Sequence, residues 1–303
     1  MKKILLTGAS GFLGYKLLPQ LSSNYKTEGL FNRQYYDIEL IKWHQLNLMD
    51  EKALKKTLET IQPDAIIHAA AQSNPNFCEE NPALAYHVNV YSTVSIGEYC
   101  KKKNIPLIFI STDLVFNGSQ GFYTESDFCY PLSKYGEQKQ IAEDILLEDL
   151  ESLLICRLPL LFGQGPLYSN NFFRNWIKKF GNAEEIDAFS DEFRSPISSE
   201  WAAKGIVLAL NYLLDNSITN KEQIFHLGGP ERISRYDFAL LIAEVFGYDP
   251  SKVKALLRNE MPMSAPRPED VSLDSSLAAE ILGFRPESLE KQLLLLKNSV
   301  KHV

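Results

Sequence analysis

The eight residues Thr7-Gly8-Ala9-Ser10-Gly11-Phe12-Leu13-Gly14 constrain this chain more than any others. They follow Lys3-Ile4-Leu5-Leu6, an apolar run of the length of a buried strand, and lead into Tyr15-Lys16-Leu17-Leu18, which reads as a helix. Three glycines therefore stand on a strand-to-helix turn. With no Cβ in the way, backbone amides of such a turn can approach a pyrophosphate, whose charge the helix N-terminus favours. The spacing Gly8-x-x-Gly11-x-x-Gly14 is one residue wider in its first interval than Gly-x-Gly-x-x-Gly, and no Gly-Lys-Ser/Thr follows as in a nucleotide-hydrolysing loop. A first βα turn is also where a Rossmann fold binds its dinucleotide.

At 303 residues the chain can bury a large core, and its 45% hydrophobic and 23% charged residues are ordinary for a globular protein. A formal charge of −7 supplies no basic field for nucleic acid, so no nucleic-acid partner is expected. The apolar run after Met1-Lys2-Lys3 is too short for a signal-peptide core, and no stretch reaches the roughly 18 apolar residues of a membrane span. Cys78, Cys100, Cys129 and Cys156 are scattered without a Cys-x-x-Cys pair, which disfavours a disulfide framework and a metal site. A cytoplasmic enzyme or binding protein, with no membrane partner, is expected.

Pro19 is expected to kink or shorten the first helix. Lys26 to Phe31 reads as a second strand, ending on Phe31-Asn32-Arg33, with Asp37 as the first acid. An acid at that strand end would bond the ribose hydroxyl of NAD, whereas an arginine accommodates the 2′-phosphate of NADP. Asn32 and Arg33 thus favour NADP, with NAD left open. Lys42 to Leu46 is a third strand, and Asp50 caps a helix that runs to Ile61 before Pro63. Asp64 to His68 is the next strand and empties into Ala69, Ala70 and Ala71, small enough for cofactor or backbone to pack close. His68 reads as a hydrogen-bonded structural histidine. Asn81-Pro82 predicts a helix to Lys103 with Asn81 as its cap and Val88, Tyr91, Val94, Ile96 and Tyr99 buried.

Leu107 to Ile110 forms a buried strand that delivers Ser111-Thr112-Asp113 to its carboxyl end, the side on which open α/β sheets bind ligands. A helix starting near Ser133 carries Tyr135 and Lys139, four residues apart and so on one face. An ammonium beside a phenol favours the phenolate, so Lys139 is expected to lower the Tyr135 pKa toward working pH. Such a tyrosine exchanges a proton with a substrate oxygen.

Together, Gly8-x-x-Gly11-x-x-Gly14, Ser111-Thr112-Asp113 and Tyr135-x-x-x-Lys139 resemble the extended short-chain dehydrogenase/reductase superfamily. Ser111-Thr112-Asp113-Leu114-Val115-Phe116-Asn117-Gly118, Tyr123-x-Glu125-x-Asp127, Pro131-Leu132 and Tyr135-Gly136 resemble its dTDP-4-dehydrorhamnose reductase subgroup, and the likeness continues through Arg157-Leu158-Pro159 and Phe162-Gly163 to Arg267-Pro268. The resemblance implies an α/β fold: a Rossmann-type doubly wound parallel sheet over residues 1–162, with a return segment at about 198–228. Residues 163–197 and 229–303 would form a smaller C-terminal substrate-binding lobe.

It further implies NADPH-dependent reduction of a keto group on a nucleotide-linked sugar. Tyr135 would be the general acid, Lys139 would hold the nicotinamide ribose, and Thr112 would polarise the carbonyl, with Asp113 a structural acceptor. Gly8, Ser10, Gly11, Phe12, Leu13 and Gly14 would cradle the cofactor, with Asn32, Arg33, Ala69, Ala70, Ala71 and Pro159 beside it. A homodimer is compatible with that reading.

Ser152 to Leu158 reads as a strand, Asn170-Asn171-Phe172-Phe173 opens a helix, and Ser199 to Leu214 is a further helix. A strand at Ile224 to Leu227 and a helix from Tyr236 to Phe246 follow, the helix with Phe238, Leu241, Ile242 and Val245 on its apolar side. The subgroup's substrate strand is approximately Asp-Gln-x-Gly-x-Pro-Thr, where this chain has Asp191-Glu192-Phe193-Arg194-Ser195-Pro196-Ile197. Arg194 and Arg267 either grip a diphosphate or serve as surface salt-bridge partners, and Asn171 is a further candidate substrate contact. Asn47 stands where relatives place an adenine-binding aspartate.

Leu114 occupies the position of the glutamate that sugar-nucleotide dehydratases use for elimination. A sugar-nucleotide epimerase must keep NAD bound, whereas Asn32-Arg33 points to exchanging NADPH. The remaining rival is a non-catalytic NADP-binding protein resembling the regulatory β subunit of methionine adenosyltransferase, which retains the Tyr-x-x-x-Lys pair.

Overall fold

The computed structural model describes residues 1–303 apart from 37, 39–40, 170, 216–221 and 301–303 and the side chain of residue 300. Asp37, the first acid beyond the second strand, and the helix-opening Asn170 lie outside the described residues.

The chain opens with β1 (Lys3–Thr7), α1 (Phe12–Ser22), β2 (Lys26–Phe31), β3 (Lys42–Gln45), α2 (Glu51–Ile61) and β4 (Ala65–His68). Next come α3 (Pro75–Glu80), α4 (Pro82–Tyr86), α5 (Ser92–Lys103), β5 (Leu107–Thr112), α6 (Lys134–Asp149) and β6 (Leu153–Leu158). These strands and β11 (Ile224–His226) form one parallel sheet in the order β11-β6-β5-β4-β1-β2-β3. The order reverses at β1, which lies between β2 and β4. A crevice opens beside such a reversal, at the carboxyl ends of the strands.

Alternation along each strand builds a core on both faces. Ile4 and Leu6 of β1 face Leu17, Leu18 and Leu21 of α1 and the alanine-rich α8 (Ser199–Leu214). Leu5 between them faces the opposite core with Leu54 and Leu58 of α2, Ile96 of α5 and Leu146 of α6. This is a doubly wound α/β sheet of the expected class.

The rest of the chain supplies β7 (Leu161–Phe162), α7 (Phe172–Gly181), β8 (Ile186–Phe189), β9 (Phe193–Arg194) and β10 (Ile197–Ser198) before α8. After β11 follow β12 (Ile233–Ser234), α9 (Arg235–Phe246), β13 (Val253–Leu256), α10 (Ser276–Ile281) and α11 (Leu289–Val300). Phe173, Trp176 and Phe180 of α7 join Phe238 and Ile242 of α9 and Leu293 of α11 in a separate core over β8 and β13, which pair in parallel. Leu241, expected to be buried with them, is only partly covered.

Three expectations need correction. Pro19 does not shorten α1, which continues to Ser22 with the proline on its exposed side. The Asn81 side chain does not cap α4, because it donates back to the Phe77 carbonyl at 3.3 Å. That carbonyl belongs to α3, a turn whose own cap, Asn74, precedes Pro75. Between α4 and α5 the helix widens into a π turn, His87–Tyr91. The extra residue rotates the faces on either side out of phase, so Tyr91 is 58% exposed rather than buried, and Val88 and Val94 are only half-buried.

His68 and His226 are wholly buried, and their partners fix them as neutral. Thr93 gives its hydrogen to the Asn89 carbonyl (2.8 Å), so His68 Nε2–H donates to Thr93 (2.9 Å) and its Nδ1 accepts from Thr7 (2.7 Å). His226 Nδ1 lies 2.9 Å from the Tyr123 carbonyl and must carry the proton, leaving Nε2 to accept from Arg157. Burial, aided by Lys139 for His68 and by Arg157 for His226, pushes each pKa down to about 3. The unfolded chain binds these protons from about pH 6.5 and the folded protein does not, so both contributions are present above pH 6.5 and are lost as pH falls toward 3. Urea unfolding between pH 7 and pH 4.5 is expected to show His226→Gln with a slope of stability on pH shallower than the native protein's by about 1.4 kcal/mol per pH unit. Equal slopes would refute the assignment.

Candidate active site

The glycine turn forms because two backbones must nearly touch. Gly8 has φ +66°, and a Cβ there would come within 2.7 Å of the Ala70 amide nitrogen and 2.8 Å of the Ala69 carbonyl carbon. A Cβ on Gly14 would run into the Ala9 carbonyl, so this glycine lets α1 close against the turn that follows β1. Gly11 is the N-cap of α1 and puts no side chain over the helix's first amides. Thr7 Oγ1 accepts the Ala70 amide at 3.1 Å, tying the turn to the end of β4. A bare helix N-terminus over a cradle that any Cβ would fill fits a dinucleotide pyrophosphate.

The cradle forms one end of a cleft of about 840 Å³. Gly8, Ser10, Gly11, Phe12 and Leu13 line it, as do Ala69, Ala70 and Ala71 from the end of β4, and Asn32 and Asn47 at the ends of neighbouring strands. Pro159 lines it beyond β6. Gly14 is buried beneath the turn, and Arg33 is exposed outside the cleft lining. Tyr168 reaches over from the loop before α7 to donate to the Ser10 carbonyl at 2.8 Å. Arg174 holds that loop by the carbonyls of Gly165, Pro166, Leu167 and Ser169.

Thr112 ends β5 and faces the cleft floor. Its Oγ1 accepts the Leu114 amide at 3.2 Å and donates to Asp113 Oδ1 at 3.0 Å, so Asp113 is the acceptor that the sequence suggested. Ser133 caps α6 by accepting the Gly136 amide at 3.2 Å. Gly136 lies against the Leu114 carbonyl with no room for a Cβ, and this brings Tyr135 to the hydroxyl of Thr112. Tyr135 is buried, and it shares the cleft with the glycine turn.

The charges differ from expectation. Burial and the nearby Asp113 carboxylate push the Tyr135 phenol up, not down, while Thr112 pulls weakly the other way. Lys139 is 1% exposed with its Nζ 3.7 Å from the centroid of the Phe109 ring, and burial lowers it to about 7 against the upward pull of Glu143. Burial thus disfavours its charge, against the direction that the four-residue spacing alone suggested. Glu143 is gripped by Arg157 through Nη2 at 2.7 Å and Nε at 3.2 Å.

The opposite wall comes from α7, β8, β9, the start of α9 and the segment from Met261 to Arg267. Arg194 is buried rather than on the surface, with Nη2 3.2 Å from Glu192 and Nε 3.6 Å from Asp113. Arg267 lines the same wall, half-buried, with Nε 3.3 Å from the Met263 sulfur. Asn171 caps α7 by accepting the Arg174 amide at 2.9 Å, and its own amide nitrogen is buried with no hydrogen-bond partner. Arg235 was missed by the sequence reading. It stacks on Phe172 (4.2 Å) and Trp176 (4.8 Å), is pushed down to about 10 mainly by burial, and leaves Nη1 without a partner. The only signal for it was its place directly after the capping residue Ser234. Among the described residues no cluster of His, Cys, Asp and Glu could hold a metal ion, and no helix is long and apolar enough to cross a membrane.

This cleft, at the reversal of a doubly wound sheet, defines an extended short-chain dehydrogenase/reductase fold. The chain belongs to the family described as the RmlD substrate binding domain, which matches residues 1–301. The mouse methionine adenosyltransferase 2 subunit beta is 30% identical over 93% of this chain and 83% of its own. A hypothetical dTDP-4-dehydrorhamnose reductase from Sulfolobus tokodaii is 32% identical, with a TM-score of 0.82 over 95% of this chain and 98% of its own. The dTDP-4-dehydrorhamnose reductase of Bacillus anthracis, solved in complex with NADP, shares the fold with a TM-score of 0.81 at 24% identity, over 98% of this chain and 99% of its own.

Gly8→Ala is expected to cost about 1–3 kcal/mol, since it puts a Cβ on a left-handed residue against the β4 backbone. Calorimetry checks the lowered Tm, and a dinucleotide titration on the variant should show weakened binding.

Proposed function

We propose that this protein reduces a keto group on a nucleotide-linked sugar, with NADPH as hydride source and Tyr135 as proton donor. The observation that carries this reading is that a buried phenol, the Thr112 hydroxyl and the glycine turn line one cleft. A reduced nicotinamide, when bound, supplies the hydride. The first lobe, 1–162 with 198–228, holds the dinucleotide; 163–197 and 229–303 hold the sugar nucleotide.

The phenol is raised by burial and so stays protonated at neutral pH, the state a donor to a developing alkoxide needs. Thr112 turns its hydroxyl to the carbonyl and orients it. Lys139 lies one turn beyond Tyr135 and holds the nicotinamide ribose. Gly8, Ser10, Gly11, Phe12 and Leu13 take the pyrophosphate, with Gly14 packed beneath the turn, and Asn32 and Arg33 take the adenosine ribose with its 2′-phosphate; the NADP complex of the Bacillus anthracis protein supports NADP as the cofactor. Arg267, with Arg235 beside the aromatic rings of α7, meets the substrate diphosphate. Arg194 is less free for that task because Glu192 and Asp113 hold it.

Turnover is tested by NADPH oxidation against a panel of nucleotide-linked keto sugars. Tyr135→Phe is expected to lower kcat by about 10²-fold or more while NADPH affinity changes little. Arg33→Ala should erode the preference for NADPH over NADH, and an unaltered ratio would assign the 2′-phosphate to other residues.

The 30% identity to the methionine adenosyltransferase β subunit favours a second reading, in which the chain binds NADP and regulates a partner enzyme without turnover. Co-purification with such an enzyme, together with no oxidation of NADPH on any sugar of the panel, would select it.

A further inference from the structure

Thr112 has one hydrogen, and it is committed inside the protein. Its Oγ1 donates to Asp113 Oδ1 at 3.0 Å and accepts the Leu114 amide at 3.2 Å. In that state the hydroxyl has no hydrogen left for a carbonyl oxygen, and the neighbouring Tyr135 meets only its oxygen. To polarise a carbonyl, Thr112 must recover the hydrogen.

Asp113 controls that recovery. It is 3% exposed, and its Oδ2 has no hydrogen-bond partner. The cation facing Oδ2 is Arg194 Nε at 3.6 Å, which comes from β9 in the opposite wall. Arg194 is 4% exposed and is itself oriented by Glu192 Oε1 at 3.2 Å and by the Phe193 carbonyl at 3.1 Å. An ionised carboxylate accepts a hydroxyl hydrogen strongly, whereas a neutral carboxyl weakens that hold and becomes a donor itself.

We propose that Asp113 is a positioning residue that governs whether Thr112 offers its hydrogen to the substrate, and that Arg194, from the other lobe, sets how firmly Asp113 holds it. This inference rests on the reductase reading of Thr112 given above.

The charged and titratable groups facing Asp113 are Arg194 and Glu192 from the opposite wall and Tyr135 from α6. Burial pushes the Asp113 carboxyl up to about 6, Arg194 and Thr112 pull it down, and Glu192 adds to the rise. Below that pH the carboxyl is neutral and Thr112 is free. Above it the hydrogen is held. Loss of the Arg194 charge disfavours the carboxylate and moves the midpoint to higher pH.

The test follows Asp113 by carbon-13 NMR of labelled aspartate carboxyls, with the resonance identified by its absence in Asp113→Asn. Arg194→Gln is expected to raise the midpoint by about one pH unit or more, and Arg194→Lys to keep it near the native value. Thr112→Val should also raise it, because the carboxylate loses a donated hydrogen bond. None of these readouts requires turnover. With a reducible sugar from the panel, kcat should rise as pH falls through the native midpoint, and Arg194→Gln should carry that rise upward with the NMR value. The proposal is overturned if either Arg194→Gln or Thr112→Val leaves the midpoint unmoved, or if the midpoint moves and the kcat profile does not follow. Both NMR shifts in a protein that reduces no sugar would support the coupling of the three side chains and defeat the reductase reading alone.

Discussion

The backbone of Gly8 lies against the backbones of Ala69 and Ala70, and the cleft takes its shape from that approach. β1 and β4 are paired neighbours on which the sheet order reverses, so their carboxyl ends border the crevice. Any side chain at Gly8 would push them apart. Thr7 spans the same junction, taking the Ala70 amide on one side and giving its hydrogen to His68 on the other. His68 passes the constraint to Thr93 in α5, and the Asn89 carbonyl in the π turn receives the last hydrogen. Asn89 also donates to Gln138 Oε1 at 2.8 Å, on the helix that carries Tyr135 and Lys139. The cofactor cradle and the catalytic helix are thus parts of one hydrogen-bonded body.

Around this body the protein buries charge in places where simple stability would favour apolar residues. Lys139 lies over the ring of Phe109, Arg157 of β6 joins Glu143 of α6 to His226 of β11, and Arg194 sits between Asp113 and Glu192. Desolvation makes such pairs weak sources of stability, yet removing one partner leaves an uncompensated charge. Their effect is on geometry: each joins elements distant in the chain, and Asp113, Arg194 and Glu192 do so on the cleft lining itself. Two of the pairs bear on β5 and the residue after it: Lys139 of α6 lies over Phe109, and Arg194 of β9 faces Asp113.

Much of the first lobe was legible because its signals are local. The unbroken apolar run Ile4-Leu5-Leu6, which feeds both cores, the Asp50 cap of α2 and the helix start near Ser133 each depend on residues within one turn or one strand. The α8 helix begins at Ser199 and ends at Leu214, the limits that its apolar pattern suggested. The π turn was not legible, since one inserted residue alters the helical phase without a distinctive composition, and Tyr91 went to the wrong face as a result. Arg235 was missed because its partners Phe172 and Trp176 lie some sixty residues earlier, on another helix.

By itself the sequence determined the class of sheet, the site of the glycine turn and the presence of Tyr135 and Lys139 on one helical face, because period and chain direction settle these without distant contacts. Only the tertiary structure decided the electrostatics. Spacing alone suggested that an ammonium would lower the Tyr135 pKa, whereas folding buries both groups, and desolvation outweighs their proximity. It likewise drew Arg194 inward to Asp113. A side chain's charge state depends on how much water its neighbours exclude, and those neighbours come from every part of the chain.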